Sequence, residues 1–207
     1  MKDPNVSSYG RGRAAGATAS SLLEQLKMAE PAGWSRLVHL YGPLVYGWCR
    51  RMGLQPEDAA DVVQEVYRSV AAKILEFRWE RPAAFRSWLK TITRNKVRDF
   101  WRRARREPAG VGGTAFQLRM AELAELEPGD ADPAEDQREV DDLYRRVLEL
   151  VRREYTERTW QAFSQVVLQG RQPSDVAGDL GMSTNAVYVA KSRVLSRIRS
   201  EFGEVLE

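Results

Sequence analysis

Apolar residues recur every three or four positions along most of this chain of 207 residues, and this spacing decides its fold class. After Pro56, a residue suited to the first turn of a helix, the repeat continues through Val62, Val66, Val70 and Ile74. No segment alternates polar and apolar residues between hairpin signals, as a half-buried strand would. The sequence therefore predicts an all-α protein.

Charge divides the chain into three parts. Residues 1–107 hold 20 Lys and Arg against 11 Asp and Glu, residues 108–142 hold 2 against 10, and residues 143–207 hold 10 against 8. The basic front part favours a polyanion partner. The acidic part is rich in Gly, Pro and Asp, a composition typical of a linker. We therefore predict a flexible arm at 1–19, a helical domain at 20–107, a flexible acidic linker and a second helical domain.

Composition excludes several classes of protein. No window approaches eighteen uninterrupted apolar residues, so the sequence predicts no membrane span. Cys49 is the only cysteine, which fits the reducing cytoplasm, and we expect it to be buried. His39 is the only histidine and lacks the partners of a zinc site. Because no GK[ST] follows the glycines near residue 110, no phosphate loop is predicted either. We expect no metal, no cofactor and no catalytic residue.

The segment from Pro173 to Phe202 has the spacing of a helix-turn-helix. Ala177 is a small residue where two helices would cross, Gly181 is the permissive turn residue, and Ser183 caps the second helix. The positions that would lock the angle between the helices are all apolar: Val176, Leu180, Met182, Val187 and Ala190.

The outer face of the second helix suits DNA contact. At ~100° per residue, short polar side chains and arginines point away from the apolar face. The N-terminal half of a recognition helix enters the major groove, where such side chains reach base edges. The alternative is an ordinary helical hairpin with a solvated polar face. The outward set consists of Asn185, Tyr188, Ser192, Ser196 and Arg199, with Arg193 and Arg197 on one flank.

The stretch from Trp88 to Glu107 combines eight Lys or Arg with three aromatic residues. Cations neutralise phosphates, and an aromatic ring can stack an unpaired base. Since duplex DNA offers no free base face, this combination favours single-stranded or melting DNA. The alternative makes Trp101 an edge residue on a helix that binds duplex. One stripe of the predicted helix carries Lys90, Arg94, Arg98, Trp101 and Arg105.

Two sequence blocks and the C-terminal helix-turn-helix together resemble the extracytoplasmic-function class of bacterial sigma factors. The blocks are "DAADVVQEVYRSVAAKILEF" and "FRSWLKTITRNKVRDFWRR", and the likeness runs from about Ser21 to Phe202. The resemblance implies a promoter-melting domain, a linker and a second DNA-binding domain. It also implies that the chain binds core RNA polymerase, carries it to promoter DNA and catalyses nothing alone. An anti-sigma factor is a further candidate partner.

The resemblance assigns most of the site residues, and the basic stripe, the spacing of Asp58 from Asp61 and the cap and outer face of the last helix supply the others. Docking on the clamp helices of the largest polymerase subunit is assigned to Asp58, Asp61, Gln64 and Glu65. The loop from Phe77 to Phe85 would receive a flipped-out base. Contacts with the melted minus-ten element are assigned to Phe77, Arg78, Trp79, Phe85, Trp88, Lys90, Arg94, Asn95, Arg98, Asp99 and Trp101. Contacts with the minus-thirty-five element are assigned to Ser183, Thr184, Asn185, Tyr188, Ser192, Arg193 and Arg197.

Two other functions stay open at this point. One is an autonomous helix-turn-helix regulator that binds duplex DNA, and the other is a nuclease that uses Asp58, Asp61 and Glu65. The "DVVQEV" face favours the sigma factor, because a self-sufficient regulator needs no surface for docking on polymerase. One departure from the family concerns the base-reading set: this chain has "YVAKSR" where many members carry a basic run. The promoter sequence therefore stays undetermined.

Overall fold

The computed structural model describes residues 21–78, 84–104 and 133–206. These parts of the chain are helical and contain no strand, so the predicted all-α class is confirmed. None of their helices is long and apolar enough to cross a membrane. The helices in chain order are α1 Leu22–Lys27, α2 Pro31–Arg51, α3 Pro56–Lys73, α4 Ala84–Ala104, α5 Pro133–Arg152, α6 Glu157–Val167, α7 Pro173–Leu180 and α8 Thr184–Leu206.

The ends of these helices follow local sequence signals. Ser21 and Glu24 form a capping box at α1, because the Ser21 hydroxyl accepts from the Glu24 amide at 3.2 Å and the Glu24 carboxylate accepts from the Ser21 amide at 3.0 Å. Proline stands in the first turn of α2, α3 and α7, where its missing N–H costs nothing. The predicted arm and residues 108–132 of the predicted linker lie outside the described residues. Residues 133–142, assigned to the same linker, form the first half of α5.

The first helical unit consists of α1 to α4, in which α1, α3 and α4 pack around α2. Leu37, Tyr41 and Val45 of α2 are fully buried, and the Tyr41 ring meets the Phe85 ring of α4 edge to face, with centroids 5.3 Å apart. Cys49 is buried as expected, and burial raises the pKa of its thiol to about 12. His39 is exposed on the outer side of α2.

The second helical unit has a small core of its own beneath α7 and α8. Val176 and Ala177 of α7 are buried against Val187 and Ala190 of α8, and Ala162 of α6 completes the cluster. The outer half of α8 is separate from this cluster, because it turns its apolar residues toward the first unit.

The first and second units also share a core, which the sequence did not predict. Val147 of α5 and Phe202 of α8 are buried in the same cluster as the residues of α1 to α4. Arg146 of α5 donates a hydrogen bond to the Leu40 carbonyl of α2 at 2.8 Å. The predicted picture of two domains held only by a tether therefore omitted a direct packing contact, while the proposed domain boundaries stay predictions.

A buried carboxylate lies in this shared region. Glu201 of α8 is 1% exposed, and its carboxylate pairs with Arg36 of α2 at 2.8 Å and with Arg197 one turn earlier. Arg197 in turn binds Glu154 through two contacts of 2.7 and 3.1 Å. Burial raises the pKa of Glu201, and the two neighbouring guanidinium groups offset this only in part.

We predict that Glu201→Gln changes how stability depends on pH. Because the pKa of Glu201 is raised in the folded chain, its contribution is fully present below the unfolded pKa and declines as the pH rises through the folded pKa. The side-chain amide of Gln does not titrate and therefore makes no pH-dependent contribution to stability. Urea unfolding at a series of pH values should therefore show the substituted chain gaining stability relative to the native chain as the pH rises above 4.5. A difference that stays constant with pH would contradict this assignment.

Candidate nucleic-acid interface

Helix α3 carries the residues assigned to polymerase docking. Asp61 and Gln64 are exposed, whereas Asp58 and Glu65 are half-buried. Glu65 pairs with Arg68 and lies 3.8 Å from Lys96 of α4. The docking face of α3 is therefore exposed to solvent at Asp61 and Gln64, and Glu65 at its edge contacts α4. Within the described parts of the chain, no group of three or more acids, histidines or cysteines is placed to hold a metal ion, as the nuclease alternative would require.

Three residues assigned to the minus-ten element form an aromatic cluster between the end of α3 and the start of α4. The Phe77 ring lies 5.4 Å from Phe85 and 4.8 Å from Trp88, measured between centroids. Phe77 and Phe85 are buried and Trp88 is half-buried. Arg78, next to the cluster, is exposed, and Trp79 lies outside the described residues. The cluster therefore supports the chain on both sides of the 79–83 segment.

The basic stripe lies on one face of α4. Asn95 beside the stripe is exposed, while Lys90, Arg94 and Arg98 are half-buried. Asp99 is half-buried and pairs with Arg102 at 2.7 Å. These polar groups follow the solvent side of α4, whose opposite side buries Leu89, Ile92 and Val97.

Trp101 does not stand out from this stripe as an open platform. It is half-buried, packs against the shared core and meets the Phe100 ring edge to face with centroids 5.4 Å apart. Arg105 lies outside the described residues. Trp101 is therefore partly covered in this structure, and both its stacking role and its alternative role as an edge residue stay predictions.

The sequence missed two cations beside the stripe. Arg86 stands one turn before Lys90 on α4, so the same helical projection would have found it. Arg51 lies at the end of α2, and no periodicity links it to α4. Both are bound to carboxylates of α5. They extend the basic surface of the first unit toward the second.

The turn between α7 and α8 is built around a glycine and a capping serine. Gly181 adopts φ 58° and ψ 41°, a left-handed conformation that glycine reaches without strain. The Met182 amide donates to the Ala177 carbonyl at 2.8 Å. The Ser183 hydroxyl accepts from the Ala186 amide at 3.1 Å and so caps α8.

Most residues assigned to the minus-thirty-five element lie on the open side of α8. The exposed ones are Ser183, Thr184, Asn185, Tyr188, Ser192 and Arg193. Arg197 is the exception, because its guanidinium is held by Glu154 and Glu201. In this structure Arg197 joins α8 to the end of α5 and does not extend the outward set.

Arg158 of α6 is a further residue of this site that the sequence did not single out. Its guanidinium donates to the Leu180 carbonyl at 2.7 Å and to the Gly181 carbonyl. Both carbonyls belong to the end of α7, where the helix leaves acceptors without internal partners. The side chain therefore ties α6 to the turn and fixes the direction in which α8 departs.

We predict that Arg158→Ala lowers the free energy of unfolding by about 1 kcal/mol, because two carbonyls lose a charged donor at an exposed position. Arg153→Ala removes the same charge from an exposed residue directly after the preceding helix, α5, and serves as the control. Chemical denaturation of the two variants measures the difference. Equal stabilities would mean that Arg158 does not hold the turn.

Comparison with known proteins gives two matches. The family described as Sigma-70 region 2 matches residues 37–107, which contain most of α2 and all of α3 and α4. A protein of Xanthomonas campestris pv. campestris named "Probable RNA polymerase sigma factor RfaY" is 30% identical over 141 residues. That alignment covers 68% of this chain and 33% of the relative, so the chain spans about a third of the relative's length. The chain belongs to the sigma-70 family of RNA polymerase sigma factors.

Proposed function

We propose that the chain is a sigma factor of the extracytoplasmic-function class, which binds core RNA polymerase, directs it to specific promoters and helps to melt the minus-ten element. One observation carries this proposal: the region 2 match covers the helices that present an acidic face on α3 and a basic face on α4. Polymerase docking and DNA contact thus have separate surfaces in one unit. The proposal includes no catalytic step and no cofactor.

The test of the whole proposal is promoter-dependent transcription. Purified chain is mixed with core polymerase and a promoter template, and run-off RNA is measured with and without the chain. Specific RNA that requires the chain is the expected result. The autonomous regulator predicts instead tight, site-specific binding to duplex by the chain alone and no specific RNA from the mixture. Specific RNA thus supports the sigma factor, and tight duplex binding without specific RNA supports the autonomous regulator.

The α3 face is the proposed docking surface for the clamp helices of the largest polymerase subunit. Asp61 and Gln64 support this role, because both are exposed on the side opposite the buried Val62 and Val66. Both residues lie beyond the first turn of α3, where the helix dipole acts, and neither is buried, so their effect on stability is small. A docking role therefore predicts a change in binding without a change in folding.

We expect Asp61→Lys to weaken binding to core polymerase by at least about tenfold, because it places a cation where the docking surface is acidic. Glu76→Lys makes the same change of charge at an exposed residue beyond the end of α3 and is the control. Affinity is measured with labelled chain and core polymerase, and circular dichroism verifies the fold. Equal losses in the two variants would count against docking through α3.

The basic face of α4 and the open side of α8 are proposed to act on different states of DNA. Asn95 is exposed on α4 and its amide can pair with a base edge, as melted DNA allows. Arg193 is exposed on α8 and can reach a base in the major groove of duplex. Trp101 is less suited to a test, because its substitution would also disturb packing.

We therefore predict different responses of Asn95→Ala and Arg193→Ala to a pre-opened promoter. Run-off RNA is compared on an intact template and on one carrying a bubble over the minus-ten element. The bubble should rescue Asn95→Ala in part, because melting is supplied but the base contact is still lost. It should hardly rescue Arg193→Ala, whose loss of duplex binding is about 1–3 kcal/mol. Equal rescue of both variants would contradict the proposal that α4 acts on melted DNA and α8 on duplex.

A further inference from the structure

The first two turns of α5 lie against a cationic face formed by α2 and α4. The face consists of Arg51, Arg86 and Lys90. Arg51 Nε lies 2.9 Å from a Glu135 carboxylate oxygen. Arg86 donates to the Asp136 carboxylate at 2.8 Å and to the Asp136 carbonyl at 3.2 Å, and Lys90 Nζ lies 3.9 Å from the other Asp136 oxygen. Each cation of the face therefore has an α5 carboxylate within ion-pair distance.

A buried contact anchors this arrangement. Glu139, two turns along α5, is 6% exposed, and one of its carboxylate oxygens accepts a hydrogen bond from Trp48 Nε1 at 2.7 Å. The same oxygen pairs with Arg51. A carboxylate is costly to bury and is retained where specific donors meet it. The contact between α5 and α2 is thus a defined one and not a loose approach of opposite charges. We name Glu135, Asp136 and Glu139 the acidic turns.

The cationic face continues directly into the basic stripe of α4. Arg86 and Lys90 are one turn apart on α4, and Arg94 and Arg98 follow at the same interval. Phosphate groups of a DNA strand lying along α4 would have to bind where α5 carboxylates are already bound. Carboxylate and phosphate oxygens compete for the same donors, because both are anionic acceptors that match the guanidinium fork.

We propose that the acidic turns of α5 are an intramolecular competitor of nucleic acid for the cationic face. In this arrangement the isolated chain covers part of its own DNA-binding surface, and the face binds backbone phosphates only when the first two turns of α5 have moved away. This inference rests on the proposed function in one respect, namely that α4 contacts DNA. Beyond the proposed function, the inference names the residues of α2 and α4 that are masked and the segment of α5 that masks them.

The ion pairs between the first two turns of α5 and the cationic face are suited to displacement by a partner, while the later turns of α5 stay packed in the shared core. The Arg51 and Lys90 side chains are 45% and 42% exposed, so water and salt screen their ion pairs. Only the Arg86 side chain, at 15%, and the Glu139 contact are well shielded. A ligand shifts such an equilibrium by its preference for the open state. Core polymerase or a DNA strand that binds the open state better would therefore expose the cationic face.

The first experiment compares two double substitutions in α5 with the same change of charge. Glu135→Gln/Asp136→Asn removes two carboxylates from the cationic face, whereas Asp141→Asn/Glu149→Gln neutralises two exposed acids of the same helix. Binding of a short fluorescein-labelled single-stranded oligonucleotide to the full chain is followed by anisotropy at several salt concentrations. All the substituted positions are at least partly exposed, and circular dichroism verifies the fold.

We expect the first variant to bind the oligonucleotide about three- to tenfold more tightly than the native chain, and the second by less than about twofold. The affinity of the first variant should also fall more steeply with salt. In the native chain, DNA binding frees carboxylates that take up counterions again, and in the variant these carboxylates are absent, so the net release of counterions is larger. Equal gains in both variants would show a general charge effect and overturn the proposal, as would no gain in either.

A second experiment needs no substitution. Hydrogen exchange of the native chain is measured with and without the same oligonucleotide. Competition predicts that amides around Glu139 in α5 exchange faster in the complex, because the start of the helix loses its packing on α2. Unchanged protection of this segment in the saturated complex would overturn the proposal. Run-off transcription is scored separately, so a chain that directs no promoter-specific RNA would refute the proposed function and leave the exchange and anisotropy results interpretable.

Discussion

The burial of α2 is the interaction on which the rest of the structure depends. Its apolar residues point to more than one side, so α1, α3, α4 and α5 each cover part of the helix. Tyr41 joins the aromatic cluster at the start of α4, and Trp48 meets α5 through Glu139. Removing apolar area from water stabilises by roughly 25 cal/mol per Å², and a helix buried on several sides holds its neighbours in fixed relative positions. The acidic face of α3 and the basic face of α4 therefore have a common rigid support.

Two buried carboxylates set how the second helical unit lies on the first. Glu139 meets Trp48 and Arg51 near the start of α5, and Glu201 meets Arg36 near the end of α8. Such groups contribute little net stability, because desolvation opposes the attraction, but a wrong alignment would leave a charge buried without a partner. Apolar packing brings the two units together, and these carboxylates select one alignment.

Much of the local structure was predictable, because its causes lie within a few residues. The helical class follows from the spacing of apolar residues, the bend at Gly181 from the need for a left-handed residue, and the start of α8 from the Ser183 cap. The stripe on α4 was predictable for the same reason. Helical projection gives the direction of a side chain around its own axis. It does not predict whether another helix packs against that side chain and covers it.

What the sequence by itself determined is the all-α class, the turn between α7 and α8, and the separation of basic and acidic segments. Only the tertiary structure decided which charged and aromatic groups face solvent. Trp101 packs against the shared core, Arg197 is held by Glu154, and Arg86 is bound by Asp136. The physical reason is distance along the chain: these contacts join helices far apart in sequence, and their formation depends on how whole helices pack.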